Sequence, residues 1–119
     1  MKKDRKIDLQ ALSRHVRFLV RQERYLITTH VLEDHPERDI EAEDIIEVLK
    51  IGQIASLEPR KINGKQAYQG EQRYRWFGED NQDRVLRLII VVKDNVIVVS
   101  AAKATKAQSK RYRSEDSEN

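Results

Sequence analysis

The chain has 119 residues, 39% of them hydrophobic and 36% charged, a net charge of +3 and no cysteine. That length allows one domain with a modest core, and the missing thiols exclude disulfide scaffolds, thiolate metal sites and cysteine nucleophiles. The longest apolar run, Leu88 to Val92, is too short to span a bilayer, and no apolar segment follows the basic opening MKKDRK, so a cytoplasmic location without membrane contact is expected.

Charge is unevenly distributed. Residues 1–24 carry eight Lys/Arg against three Asp/Glu, residues 25–52 reverse this with two against eight, and residues 53–119 return to thirteen against nine. A basic–acidic–basic order lets a folded molecule present one positive face, a common footprint of nucleic-acid binding, although solvated surfaces have the same composition.

Asp8 is placed to cap a first helix running to about Gln22, with Leu9, Leu12, Val16 and Leu19 as its apolar stripe and Arg14, Arg17 and Arg21 as a basic ridge on the opposite flank. Tyr25 to Thr28 reads as a short strand. A helical turn follows, capped by Thr28 or Thr29, with Glu33 and Asp34 near its start and Pro36 as its stop. IEAEDIIEVLKIG reads as a helix with an Ile40–Ile45 staple, Glu41 as cap, Ile45, Val48 and Leu49 inward, and Gly52 as a left-handed terminus.

Beyond Gly52 the period becomes strand-like. Ile54–Leu57 and Ala67–Phe77 are expected strands, the second with Tyr68, Tyr74 and Trp76 on one face and Arg73, Arg75 and Phe77 on the other. RVLRLIIVV and NVIVVSA read as strands covered on both faces, joined by a KDN hairpin in which Asp94 and Asn95 take left-handed conformations. Ala104 to Arg113 reads as a basic helix and residues 114–119 as a disordered tail. The order predicts a single α+β domain over residues 1–113, with N-terminal helices packed on a mainly antiparallel four-stranded sheet and a short basic C-terminal helix.

Two segments carry a family likeness. VVSAAKATKAQSKRY is similar to the ending of BrnT-type toxins, an apolar strand, ISARKAT, then a basic helix ending near a tyrosine; Val99, Ser100, Ala101, Lys103, Ala104, Thr105 and Tyr112 fit together. YLITTHVLEDHPERDIEAEDIIEVLKIGQI resembles a bacterial domain family of uncharacterised role, with His30, Arg38, Ile40, Ile45, Leu49 and Gly52 in its positions. Ala102 stands where the BrnT-like ending has arginine, and Glu33 and Asp34 fill the stretch where an arginine is usual after the histidine. The resemblance, covering roughly residues 25 to 113, implies a RelE-like fold, RNA as substrate, and a restraining antitoxin-type protein partner.

RNA cleavage of that kind proceeds by attack of the ribose 2′-hydroxyl on the neighbouring phosphate, and needs a proton acceptor, cations for the transition state and a donor for the leaving oxygen. Arg75, Arg87, Lys103 and His30 are the candidate catalytic residues, with Arg75, Arg87 and Lys103 expected on one sheet surface; cross-strand ion pairing, for instance with Glu71, is the alternative. Arg73, Tyr74, Trp76, Lys106, Lys110, Arg111 and Arg113 are the candidate RNA-binding residues, the aromatic pair as a stacking platform or as core. His30 serves either acid–base chemistry or the start of its helix. No metal site is expected from His15, His30 and His35, nor any cofactor. Three functions stay open: an RNA-directed endoribonuclease, a catalytically silent RNA or protein binder, and an interaction domain for an acidic partner.

Overall fold

The computed structural model describes residues 8–33 and 39–117. Helix α1 (Leu9–Arg21) begins where the Asp8 carboxylate accepts the Ala11 N–H at 3.0 Å. Its apolar stripe buries Val16 and Leu19 as the spacing predicts, and Val20 joins them. Strand β1 (Tyr25–Ile27) leads into the single turn α2 (Thr29–Glu33). Helix α3 (Ala42–Ile51) is closed at its start by the Asp44 carboxylate, which accepts the Glu41 N–H at 2.8 Å. Ile45, Val48 and Leu49 are completely buried, with Ile40 packed against the same core. Asp34, His35, Pro36 and Arg38, each considered in the sequence analysis, lie outside the described residues.

Six further strands follow: β2 (Gln53–Leu57), β3 (Lys61–Ile62), β4 (Lys65–Gln66), β5 (Arg73–Glu79), β6 (Val85–Val92) and β7 (Val96–Lys103), and then helix α4 (Lys106–Ser117). β3 and β4 form a separate small hairpin turned by Asn63 and Gly64, both at positive φ. The main sheet has the order β1-β7-β6-β5-β2, antiparallel throughout except for β1, which lies parallel to β7. The fold is therefore α+β, with five strands in the sheet where four were expected. Val96 N–H donates to Arg24 O and Thr28 N–H to Val98 O, and these bonds draw the short segment after α1 into the sheet as its edge.

The opposite edge, β2, is covered by α1. Ser13, 2% exposed, donates from its hydroxyl to Leu9 O at 2.6 Å and accepts the Ile54 N–H at 2.9 Å. One turn along, Arg17 Nη1 donates to Gly52 O at 2.7 Å. Both bonds occupy backbone groups that an edge strand would otherwise offer to another chain.

Several local expectations are corrected. The strand expected from Ala67 begins at Arg73, because Tyr68 turns aside and accepts the Arg73 N–H on its hydroxyl. Gly52 is extended, not left-handed: its φ is −88°, and glycine is needed for room, since a β-carbon would lie 2.5 Å from Trp76 Nε1 and closer still to Phe77 O. Asp94 and Asn95 do not take positive φ; the loop closes through Lys93 N–H and Asn95 O at 3.0 Å. Residues 114–117, expected to be disordered, continue α4. Among the described residues no helix is long and apolar enough to cross a membrane.

One buried ion network ties the β5–β6 turn to α3. Asp80, 5% exposed, accepts the Gln82 and Arg84 N–H groups on one oxygen, each at 2.9 Å, and Arg84 Nε on the other at 2.8 Å. Arg84 continues to Asp44 at 3.2 Å and to Asp39 O at 2.8 Å. Burial works against the charged carboxylate, yet the bonds from Arg84 and Gln82 outweigh it and hold its pKa below the ordinary aspartate range. The lowered pKa makes its stabilisation complete above the unfolded-state value and lost as pH falls through the folded one. Asp80→Ala should cost about 3–5 kcal/mol at neutral pH, because it strips a buried guanidinium of its main partner. Thermal unfolding between pH 7 and 3 should show the wild type losing more stability on acidification than the variant.

Candidate functional site

The sheet has two differently used faces. From β5, Tyr74, Trp76 and Gly78 turn toward α3, while Arg73, Arg75, Phe77 and Glu79 turn away; from β6, Leu86, Leu88 and Ile90 turn toward the helices, and Val85, Arg87, Ile89 and Val91 away. On this second face Arg75 stands opposite Ile89, and Arg87 lies between Phe77 and Ala102.

Helix α4 crosses that second face. Ala104 N–H still donates to Val85 O at 2.9 Å, so pairing continues past the end of β7. Thr105 then caps the helix: its hydroxyl accepts the Gln108 N–H at 3.1 Å and its own N–H donates to the Gln108 side chain at 3.0 Å. Farther along, Arg113 Nη2 donates to Glu79 at 3.0 Å and to Asp83 O at 2.7 Å, fastening the helix to the end of β5 and the loop beyond it.

Between helix and sheet lies a cleft of about 240 Å³. Gln53, Ala55 and Ser56 come from β2, Arg75 and Phe77 from β5, and Gln108, Arg111 and Tyr112 from one flank of α4. Its floor is partly aromatic and aliphatic, its walls carry two guanidinium groups, and its remaining side chains are neutral hydrogen-bonding groups. The Glu58 carboxylate accepts Arg75 Nε at 2.6 Å and fixes that cation. Glu58 is itself positioned by Tyr68, whose hydroxyl donates to Glu58 O at 2.8 Å while its ring lies under the Arg73 and Arg60 guanidinium groups at 4.6 and 5.1 Å. Arg17, bonded to Gly52 O one residue before Gln53, lies outside the cleft's lining. Its pKa is lowered, first by burial and then by Arg21 and Arg14, while Tyr112 acts in the opposite sense.

The candidate residues divide accordingly. Arg75 and Arg111 meet in the cleft. Lys106, Lys110 and Arg113 recur along the other flank of α4 and line a shallow groove with Ala104 and Ser109. Arg73 lies on the second face stacked on Tyr68. Arg87 lies there too, with a buried Nε that has no hydrogen-bond partner.

Four expectations need correction. Trp76 is 0% exposed and donates Nε1–H to Val48 O at 2.8 Å, so it belongs to the core and offers no stacking surface. Tyr74 is on the helix-covered face, packed against the core, and its pKa is raised by burial first and by Tyr68 second. Lys103 does not share a surface with Arg75 and Arg87: it pairs with Leu86 on the helix-packed face. The cause is a bulge. Ile90 pairs with Val98 but Ile89 with Ser100, so Val99 is an extra residue that reverses the alternation along the rest of β7. His30, exposed on α2, follows β1 at the far edge of the sheet, four strands away from β2 and the cleft.

Glu58, Gln108 and Tyr112 are site residues that the sequence reading did not assign. Thr105 followed three residues later by Gln108 is a capping-box signal, and it would have fixed the start and phase of α4. The Glu58–Arg75 pair has no such local signal. Among the described residues no three His, Asp or Glu side chains gather as a metal site. No protein-family model and no curated protein matches the chain.

If the cap holds α4 over the sheet, Thr105→Ala should loosen the helix by about 1 kcal/mol. Hydrogen exchange should then run about fivefold faster at α4 amides while the β6 and β7 amides keep their wild-type protection.

Proposed function

We propose that this protein binds single-stranded RNA, with a phosphodiester seated in the cleft beneath α4. One observation carries the reading: Arg75 and Arg111, brought by a strand and a helix far apart in sequence, line the same small cleft beside Phe77 and Tyr112. Single-strand binding combines cations for the backbone with an aromatic face for the base. Here the half-buried Tyr112 ring is the aromatic group beside the two guanidinium groups, with Phe77 buried beneath. The cleft's volume, at the small end of ligand sites, suits one nucleotide unit better than an extended ligand. Gln53, Ser56 and Gln108 supply donors and acceptors of the kind that a ribose 2′-hydroxyl requires. The BrnT-like ending, which contributes Tyr112, directs the choice toward RNA.

Strand cleavage is a second reading, and Glu58 favours it. A carboxylate fixed against a guanidinium beside the bound phosphate is a general base next to the cation that would stabilise the charge developing on phosphorus. The proton would pass from the ribose 2′-hydroxyl to Glu58 as the oxygen attacks the phosphorus. The bond from phosphorus to the 5′-oxygen breaks, and that oxygen leaves as a hydroxyl after taking a proton from water, so that a 2′,3′-cyclic phosphate remains. An antitoxin-type protein partner belongs to this reading and not to simple binding.

Fluorescence anisotropy with a labelled uridine-rich RNA should show binding that weakens steeply with salt, each phosphate contact contributing about 0.7 to the log–log slope. Arg111→Ala should weaken it by about tenfold. Absence of binding at low salt, or a slope near zero, would overturn the proposal. Gel analysis of the same RNA, with Glu58→Gln as control, decides cleavage: products ending in a 2′,3′-cyclic phosphate that disappear in the variant establish it, and intact RNA removes it.

A further inference from the structure

We propose that the α1 ridge of Arg14, Arg17 and Arg21 is the second half of the RNA track, receiving the strand as it leaves the cleft and passes around the β2 edge. The inference rests on the RNA-binding reading and assigns a role to the one long helix which that reading leaves without one.

Position comes first. Ser13 and Arg17 both bond to backbone, Ser13 to Ile54 at the β2 edge and Arg17 to Gly52, the residue directly before β2. They are four residues apart, so the flank of α1 that carries them runs along β2. Arg14 and Arg21 lie on either side of Arg17, at spacings that keep all three on one helix stripe. Arg17 lies nearest Ser13 around the helix, Arg21 and then Arg14 lie farther round toward solvent, and the buried residues Val16, Leu19 and Val20 lie on the other side of Ser13. The ridge therefore stands beside the edge that α4 approaches from the other face of the sheet.

Continuity comes second. Gly52, whose carbonyl Arg17 holds, is followed directly by Gln53, which lines the cleft with Arg111. Tyr112, on the cleft's helix wall, is an electrostatic neighbour of Arg17. Cleft and ridge thus meet at a single residue step along the chain.

Charge comes third. Among the described residues no carboxylate is within ion-pair distance of Arg14, Arg17 or Arg21. The three guanidinium groups repel one another, which contributes to the lowered pKa of Arg17. Three guanidinium groups elsewhere are paired, Arg75 with Glu58, Arg84 with Asp80 and Asp44, and Arg113 with Glu79. A ridge of like charges left uncompensated, next to a cleft that takes one phosphate, matches the phosphates that follow on the same strand. A merely solvated face would not require Arg17 to be tied to the residue that leads into the cleft's strand.

The test compares two lengths of oligouridine, about five and about fifteen nucleotides, the shorter filling the cleft alone. The variant is Arg14→Ala/Arg21→Ala, which leaves the Arg17 bond to Gly52 intact. It should bind the short RNA as the wild type does. Its affinity for the long RNA should fall about tenfold, with the salt slope reduced by about 1.4, two single-strand phosphate contacts at about 0.7 each. Arg14→Lys/Arg21→Lys should restore most of both. Unchanged long-RNA affinity and slope in the alanine variant, with Arg111→Ala still impairing both lengths, would overturn the ridge and leave the cleft standing. If the wild type binds neither length, the RNA-binding reading itself fails, and the ridge proposal with it.

Discussion

Pairing between β6 and β7 runs without interruption into the bond from Ala104 N–H to Val85 O, and the Thr105–Gln108 cap begins α4 at the next residue. No flexible linker separates strand from helix, so the direction of α4 is inherited from the most buried part of the sheet. Arg113, bonded to Glu79 and Asp83, fastens the far part of the helix to the end of β5 and its turn. Between these two attachments Gln108, Arg111 and Tyr112 have to lie over β2 and β5. The cleft, its two guanidinium groups and its aromatic floor all follow from that constraint. A basic segment joined to a core strand by a free linker would place its charges nowhere in particular, whereas this one is held in register with Arg75.

The cations of the molecule divide by what they are bonded to. Arg84 is a structural ion, enclosed by Asp80, Asp44 and the Asp39 carbonyl, and Arg113 is a fastening. Arg17 closes the β2 edge with one nitrogen while adding its charge to the ridge. Arg75 is held by Glu58 but still lines the cleft. Arg87 is different again, lying between Phe77 and Ala102 with a buried Nε that has no hydrogen-bond partner. A net charge of +3 conveys none of this, because the sum is set by pairs that cancel and the surface by the cations that remain.

Features encoded over a few residues were readable in the sequence. Asp8 as a cap, the stripe through Val16 and Leu19, the Ile45–Val48–Leu49 face and the apolar β6–β7 hairpin each rest on local spacing, and each stands in the fold. What escaped depends on a single extra residue or on contacts distant in sequence. One bulged residue, Val99, moves Lys103 to the opposite face of the sheet from Arg87. Tyr68 left its expected row because its hydroxyl and ring serve Glu58, Arg73 and Arg60 across a loop. Trp76 alternates correctly with Arg75, but which side of β5 would be covered by α3 was fixed by tertiary packing, and with it the choice between core and stacking surface. The meeting of Arg75 with Arg111, 36 positions apart, has no signature in either segment.

The placement of α4 can be observed directly, because the chain contains no cysteine and a single introduced one carries a nitroxide label without ambiguity. Paramagnetic relaxation from a label at Ala107→Cys, an exposed position that leaves the Thr105–Gln108 cap intact, should broaden the amide signals of Gln53 to Ser56 and of Arg75 to Phe77, and leave those of Tyr25 to Ile27, at the other edge of the sheet, sharp. Sharp signals throughout β2 and β5, with broadening confined to the neighbouring residues of α4 itself, would contradict the account.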